Sequence, residues 1–458
     1  MTTRAELARL VAASPGGLVL PGGDRRARVD VATPLHLVDV ADLGGDRWIG
    51  VVEDADGDRW TVPMVTRDGV VRRALAGDGV AEALVRGMVD VHALQQTHGS
   101  ASTPGGWALQ GDGAFVADAW HPEDVCGERA VTVDQTNESV VVGDRAIVKW
   151  TVALPRPGVR GSQPAIHRVP TLSHAGFDGM PLPWGRLFYS DHADESSRLL
   201  LASVAEFLPG AQDGWDWAVD DVRRFARDEV SVDEALEPAR RLGELTARMH
   251  VALATRGRDV ADDRLVARWT ARAYDDLDAA VQLVDGAEGA RLRARAGRIA
   301  VSFGAFRQCV GTPLIDVHGD LHVGQVLRHD DPADYAVTDF DGNPVLVPED
   351  RSARQPAALD VAGMLASLDH VGRVVIRRTE DVDVDVVLAW ITAAQSAYLD
   401  AYRDTLALTR SGDLLDERLL HPLRLQQECR EFLYAVRHLP HWRYVPDAAL
   451  LDLLPDEG

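Results

Sequence analysis

Two short segments gather the carboxylates, imidazoles and side-chain amide that acid–base and metal chemistry require. Val317-His318-Gly319-Asp320-Leu321-His322-Val323-Gly324-Gln325-Val326-Leu327 is followed by Ala336-Val337-Thr338-Asp339-Phe340-Asp341-Gly342-Asn343-Pro344. Each reads as an apolar strand delivering polar residues into a turn, which places Asp320, His322, Gln325, Asp339 and Asp341 in one neighbourhood. An aspartate on a tight loop can accept the proton of a hydroxyl nucleophile. The Gln325 amide and the Asp339 carboxylate are hard oxygen donors of the kind that hold Mg²⁺. Asp341 fits either a second metal ligand or a turn-stabilising carboxylate. His318 and His322 have the i, i+4 spacing of a helical zinc pair, but Gly319 favours a loop, no HExxH is present, and magnesium suits the carboxylates better.

A third signal is compositional. Lys149 is the only lysine among 48 lysines and arginines. Arginine fills almost every ordinary cationic position here, so a lone lysine points to a need for a compact, rotatable ammonium. The run Val141-Val142-Gly143-Asp144-Arg145-Ala146-Ile147-Val148-Lys149-Trp150 reads as a hairpin leading into a buried strand. A lysine in such a strand calls for an anion, and phosphate is the usual candidate. A Walker-type GxxxxGK[ST] loop is excluded, because Trp150 follows the only lysine. The preceding turn, Asp134-Gln135-Thr136-Asn137-Glu138-Ser139, lacks glycine but offers hydroxyls, amides and backbone N–H groups to phosphate; a plain β-turn accounts for it equally well.

These residues need two kinds of scaffold. Strand-like runs at 36–40, 47–52 and 60–65 precede a helix at 79–95, a small-residue break at 97–106 and a short strand at 113–120. Glu53-Asp54-Ala55-Asp56-Gly57-Asp58 resembles a calcium loop, but its glycine is misplaced and the closing glutamate is missing, so a hairpin turn is expected. Further strands are expected near 139–143, 146–153, 186–190 and 200–206. After Pro209-Gly210 the pattern changes to amphipathic helices at 213–229, 232–256, 260–284 and 287–308. A hairpin-like interruption spans 314–346, and helices resume from 357.

With 458 residues the chain exceeds one ordinary core. A net charge of −23 argues against nucleic acid and anionic membranes as partners. Cys126, Cys309 and Cys429 are too scattered for a disulfide framework or a CxxC metal site. The N-terminus lacks the apolar stretch of a secretory signal, and no run approaches the roughly 18 apolar residues of a membrane span. A cytoplasmic location is therefore expected, and a monomer is compatible with the sequence.

The pair of segments resembles the HGDxHxxN and DF(D/E) motifs of the aminoglycoside-phosphotransferase-like branch of the protein-kinase-like fold. That resemblance implies Asp320 as catalytic base, Gln325 and Asp339 as Mg²⁺ ligands, and Lys149 as the strand lysine that holds the phosphates of ATP. Gln325 departs from the family's asparagine by one methylene. A second departure is the stretch Gln163-Pro164-Ala165-Ile166-His167-Arg168-Val169-Pro170-Thr171-Leu172-Ser173, where the family's lysine-pairing glutamate is absent and Pro170 argues against a helix. Ser203-Val204-Ala205-Glu206-Phe207-Leu208-Pro209-Gly210 resembles the hinge of actinobacterial maltokinases, with backbone groups of Glu206 and Leu208 reading adenine. Ser139 is assigned to the nucleotide with them.

The tail bears on the acceptor. Gln427, Glu431 and Tyr434 share one helix face, and Trp442 follows closely. An acidic face beside an aromatic ring suits a sugar carrying an ammonium group; an amphipathic helix packed on aromatic residues is the plainer alternative. This segment is similar to that of the maltokinase-related glucosamine kinases of actinobacteria, which implies that Asp320, His322, Glu431 and Trp442 grip glucosamine.

The expected architecture is α+β and bilobal: a cap over residues 1–110, a β-rich lobe over 111–208 and a helical lobe over 209–458. The expected activity is ATP-dependent phosphorylation of D-glucosamine to its 6-phosphate. The alternatives are a maltokinase making maltose 1-phosphate, an aminoglycoside phosphotransferase, and a nucleotide-binding pseudokinase. Lys149→Arg should lower ATP affinity or turnover by about tenfold or more, since a planar fork cannot replace a compact ammonium at this position. Steady-state kinetics with varied ATP measures this, and near wild-type values would mean that the lone lysine has no phosphate role.

Overall fold

Alternating apolar and polar side chains shape the first part of the chain into sheets. The computed structural model describes residues 4–13, 18, 35–98, 107–111, 125–131, 138–156, 163–190, 198–329 and 334–455. Helix α1 (Arg4–Ala13) precedes the antiparallel strands β1 (His36–Gly44), β2 (Arg47–Glu53), β3 (Arg59–Arg67) and β4 (Val70–Arg73), which pair in chain order. The acidic run between β2 and β3 is a hairpin turn. Asp54 Oδ1 accepts the N–H groups of Asp56 and Asp58, and Gly57 supplies φ +80°. Helix α2 (Val80–His98) leads to β5 (Trp107–Gly111), β6 (Glu128–Ala130), β7 (Glu138–Val142), β8 (Ala146–Trp150) and β9 (Ala153–Leu154), the last pairing with β3. After α3 (Ala165–His174) come β10 (Pro183–Tyr189) and β11 (Leu199–Glu206), which complete a sheet of order β5-β10-β11-β8-β7-β6. The strand expected at 113–120, most of the break at 97–106 and the turn residues 134–137 lie outside the described residues.

Two compact units result. One holds Met1–Ile166 and Pro181–Pro209, the other His167–Met180 and Gly210–Gly458. In the first unit a single core joins Ile49, Val51 and Val65 of the cap sheet to Leu84 and Met88 of α2 and to Val140, Val148 and Val204 of the six-stranded sheet. The opposite face of the cap sheet is also covered, with Trp48, Val62 and Met64 packing with Leu7 and Val11 of α1.

The second unit is mainly helical. Its elements are α4 (Gly214–Ala226), α5 (Val232–Ala254), β12 (Asp259–Val260), α6 (Asp263–Leu283), α7 (Gly286–Phe303), β13 (Pro313–Leu314), β14 (Val326–Arg328), β15 (Tyr335–Val337), α8 (Pro348–Ser352), α9 (Ala358–Arg378), α10 (Val384–Leu408), α11 (Leu420–His438) and α12 (Tyr444–Leu453). The four helices expected from periodicity form within a few residues of their expected bounds. The starts of the first three are set by Asp213, Ser231 and Asp262, whose side chains accept the N–H groups of Trp215, Glu234 and Leu265. No helix among the described residues is long and apolar enough to cross a membrane.

Pro170, expected to weaken its stretch as a helix, does not prevent one. Helix α3 runs through it. A proline removes the N–H that would bond to the carbonyl four residues earlier, here that of Ile166. Arg186 Nη1 donates to Ile166 O at 3.0 Å instead, so the carbonyl is satisfied and the helix continues.

Two glycines let helices lie directly against the segment 317–325. A Cβ on Gly214 would fall 1.7 Å from Val323 O, and one on Gly363 of α9 would fall 2.7 Å from Leu321 O. Both neighbours are backbone atoms, which cannot swing aside. Gly214→Ala should therefore destabilise the protein by about 2–3 kcal/mol through forced overpacking, as measured by chemical denaturation. An unchanged unfolding midpoint would contradict this close approach.

Candidate active site

Asp320 sits on a loop that the rest of its unit holds by the backbone. Asp360, near the start of α9 and fully buried, accepts the N–H of His318 at 2.7 Å and that of Gly319 at 2.8 Å. Its Oδ2 also lies 3.0 Å from His250 Nε2, and His250 Nδ1 lies 2.7 Å from the Tyr402 hydroxyl. Burial alone would push the Asp360 carboxyl up, but the His250 hydrogen bond and the loop N–H groups hold it below its ordinary value. Gly319 takes φ +84°, a left-handed conformation that admits the turn between the two bonded amides and Asp320.

The histidines of this loop are structural donors and acceptors. His318 donates from Nε2 to Thr338 O at 2.8 Å and accepts the Asp320 N–H at Nδ1 at 3.3 Å. Burial lowers its pKa and favours this neutral form. His322 caps a short 3₁₀ turn by accepting the Gly324 N–H at Nδ1, and burial, the largest cause, lowers its pKa to about 4. Its Nε2 lies 3.4 Å from the Gln325 amide nitrogen, and a flipped amide would turn its oxygen to the ring N–H. His318 spends both nitrogens on backbone groups, which leaves it no lone pair for a zinc ion.

The β14–β15 hairpin brings the second aspartate to the same place. Val326 pairs with Val337, and the ladder extends as Thr338 N–H donates to Gln325 O at 2.8 Å. Gln325 and Asp339 therefore leave the same end of one hairpin. Asp339 is exposed with φ +62°, a conformation that aspartate tolerates better than most residues. Asp320 keeps partial exposure, yet the protein around it raises its carboxyl to about 7. Desolvation leads, the charges of Asp339, Glu431 and Asp360 add to it, and Arg351 opposes it.

On α11 the expected acidic face forms. Gln427 Nε2 donates to Glu431 Oε1 at 3.0 Å, and Trp442 Nε1 donates to Oε2 at 3.2 Å, so both oxygens of Glu431 are oriented. Trp442 meets Trp215 edge-on, with ring centroids 5.8 Å apart, and His370 at 6.2 Å. Tyr434 is not brought into this group. It is half exposed, and its ring packs against His438.

In the other unit, Lys149 lies opposite Ser139 on β7 and Ser203 on β11, so the three residues form one row across the sheet. Val140, Val148 and Val204 form the next row on the other face, inside the core. Strand alternation thus keeps the lysine out of the hydrophobic interior. At the end of β11, Glu206 N–H donates to Leu182 O at 2.8 Å and Phe207 N–H to Arg145 O at 2.7 Å, which fixes the backbone before Leu208.

Sequence reasoning missed several residues that build this site. Asp360, His250, Arg168 and the buried pair His370–Glu428, 3.1 Å apart, were given no role. The available signal was polarity out of place. Asp360 and His370 interrupt the apolar face of α9, and such residues need buried partners.

No protein-family model matches the chain. It is 56% identical over 450 residues to a glucosamine kinase of Streptacidiphilus jiangxiensis, covering 98% of each chain. It is 41% identical over 431 residues to a glucosamine kinase of Mycolicibacterium smegmatis, covering 92% of this chain and 98% of that one. A glucosamine kinase crystal structure matches with TM-score 0.85 and 53% identity over 98% of this chain and 99% of its own. Another, in complex with glucosamine, ADP and inorganic phosphate, matches with TM-score 0.81 and 52% identity over 99% of this chain and all of its own. The fold and these relatives define the chain as an ATP-dependent phosphotransferase. Within that class, the chain belongs to the glucosamine kinase family.

The raised Asp320 carboxyl has a measurable consequence. A folded-state value of about 7 against an ordinary value of 3.8 means that the native protein binds this proton more tightly than the unfolded chain. Stability should then fall as pH rises from about 4 to about 7. Without metal and nucleotide, Asp320→Asn should melt above wild type at pH 8, and the gap should close toward pH 5. Thermal unfolding across this range measures it, and a gap independent of pH would contradict the shift.

Proposed function

We propose that this chain transfers the γ-phosphoryl group of ATP to the 6-hydroxyl of D-glucosamine. The observation that carries the reading is the pairing of the loop-held Asp320 with the doubly oriented Glu431. One carboxylate serves the reacting hydroxyl and the other the substrate ammonium. As the hydroxyl oxygen bonds to the γ-phosphorus, the bond to the β–γ bridging oxygen breaks and ADP leaves. Asp320 takes the hydroxyl proton, and its raised pKa suits a base that must hold a proton late in a loose transition state.

Glu431 accepts charged hydrogen bonds from the ammonium group, while Gln427 and Trp442 hold its two oxygens in place. Trp442 offers a ring face to the sugar, and His322, neutral at physiological pH, turns its Nε2–H from the long Gln325 contact to a hydroxyl. Tyr434, half exposed and packed on His438, is assigned to the outer edge of this subsite. For the nucleotide, Lys149 contacts the α- and β-phosphates, with Ser139 beside it in the same row. The carbonyl of Glu206 and the N–H of Leu208 read the adenine edge. Residues 1–110 serve as a cap on the nucleotide-binding unit.

The donor chemistry of Gln325 and Asp339 fits Mg²⁺. Both offer oxygen, two protein ligands leave room for phosphates and waters, and the carboxylates around Asp320 favour a nearby cation. Bound there, the ion supplies charge neutralisation on the phosphates.

Wild-type protein incubated with ATP and a panel of glucosamine, glucose, maltose and an aminoglycoside should phosphorylate glucosamine in preference, at the 6-position by phosphorus NMR. Asp320→Asn should lower kcat by about 10²–10⁴-fold with little change in glucosamine affinity. Turnover of maltose without glucosamine would sink the proposal.

A further inference from the structure

Helix α3 carries a residue that no part of the reaction above uses. Arg168 is only 2% exposed, and it is not paired with a carboxylate by any direct hydrogen bond among the described residues. Its guanidinium instead holds three main-chain carbonyls from three segments. Nη1 donates to His318 O at 2.9 Å and to Phe340 O at 3.1 Å, and Nη2 donates to Arg351 O at 2.9 Å. His318 lies two residues before Asp320, and Phe340 directly follows Asp339. One nitrogen therefore bridges the two loops that carry the aspartates of the site.

The surroundings are cut to this group. Gly319 and Gly342 have φ of +84° and +71°. A Cβ on Gly342 would lie 3.0 Å from Arg168 Nη1, and one on Gly319 would lie 3.7 Å from Nη2. The arrangement carries a cost. Burial lowers the guanidinium's pKa to about 10, against the charges of Asp360, Asp316 and Asp341, and Arg168 Nε has no hydrogen-bond partner. A buried cation with an unsatisfied donor is not what general packing would select, since an apolar side chain of similar volume avoids both penalties. What an apolar residue cannot do is fix the spacing of three carbonyls. Lysine cannot do so either, because its single ammonium cannot reproduce the planar two-nitrogen fork.

We propose that Arg168 is a positioning residue for phosphoryl transfer: its guanidinium sets the spacing between the Asp320 loop and the Asp339 loop. The helix in which a lysine-pairing glutamate was expected thus acts on the chemical loops themselves. His318, donating to Thr338 O, supplies a second bond between the same loops, so Arg168 tunes a spacing that its loss would loosen rather than abolish. The sugar-binding group on α11 receives none of these bonds. Its affinity should therefore be independent of Arg168.

The inference rests on the reading of Asp320 as the base, and the wild-type enzyme assayed alongside keeps the two apart. An inactive wild type sinks the reaction assignment; an active wild type with an unaffected variant sinks only the role of Arg168. In Arg168→Lys, kcat with glucosamine should fall about 10–100-fold, the effect of a misplacement on the order of an ångström. Glucosamine affinity by calorimetry should stay within about threefold of wild type, the split expected when only transition-state interactions are lost. In Arg168→Ala, guanidinium ions well below denaturing concentration should restore part of the lost kcat, and methylammonium at the same concentration should not. Wild-type kcat in Arg168→Lys overturns the proposal. So does a loss that merely tracks the folded fraction by circular dichroism, with normal turnover per folded molecule, since that would assign Arg168 to folding alone. Should Arg168→Ala fail to fold, Arg168→Lys decides the matter by its kcat and calorimetric affinity.

Discussion

The carboxylate of Asp360 is the point on which the catalytic unit turns. It is fully buried and takes two backbone N–H groups from the loop of Asp320 and one ring nitrogen from His250. A buried charge is stable only when its lone pairs are filled, and here the catalytic loop itself fills them. The loop therefore cannot shift without exposing an ion to a dry interior. Leaving the two amides unsatisfied would cost about 1–3 kcal/mol each. Asp360 belongs to α9, and Gly363 on the same helix lets Leu321 O approach closely, so the loop is fixed in height as well as register.

Around this anchor the site concentrates negative charge. Asp339, Glu431 and Asp360 all act on Asp320, and Arg351 is the cation that opposes them. The result is a carboxylate easily protonated near neutral pH, beside a glutamate held ready by Gln427 and Trp442. Such an assembly concentrates like charge, which suits the proposed acceptor with its ammonium group. Stability and the proposed function are in opposition at this point: a neutral residue at 320 would relieve repulsion and remove the proposed base. Close to Trp442, Glu428 and His370 form a second buried pair. The proton belongs on His370, whose pKa its carboxylate neighbours Glu428, Glu431 and Asp369 raise to about 9 against the opposing effect of burial.

Much of this was legible beforehand because it depends on local pattern. The 3.6-residue periodicity of α4 to α7 and the alternation along β8 are read directly, since each element buries one face. Aspartates in glycine-flanked turns and a lone lysine in a strand announce chemistry by residue type. The acidic face of α11 follows from helical spacing, although the same spacing also selected Tyr434, which points toward His438. Spacing along a helix says which residues share a side and nothing of how wide the buried stripe is. Pro170 misled for a related reason: its effect on α3 depends on Arg186, a partner that no local pattern reveals.

The chain read in order was enough to name the class of chemistry, the order of sheet and helices, and Asp320, Asp339, Gln325, Glu431, Trp442 and Lys149 as candidates. These follow from residue type, short spacing and period, which are properties of the chain read in order. What holds them emerges from the folded chain alone. Asp360 reaches back 42 residues to His318, and Arg168 reaches forward 150 residues to the same one. Such contacts satisfy buried charges and carbonyls, and the demand for satisfaction appears only once folding has removed water from around them.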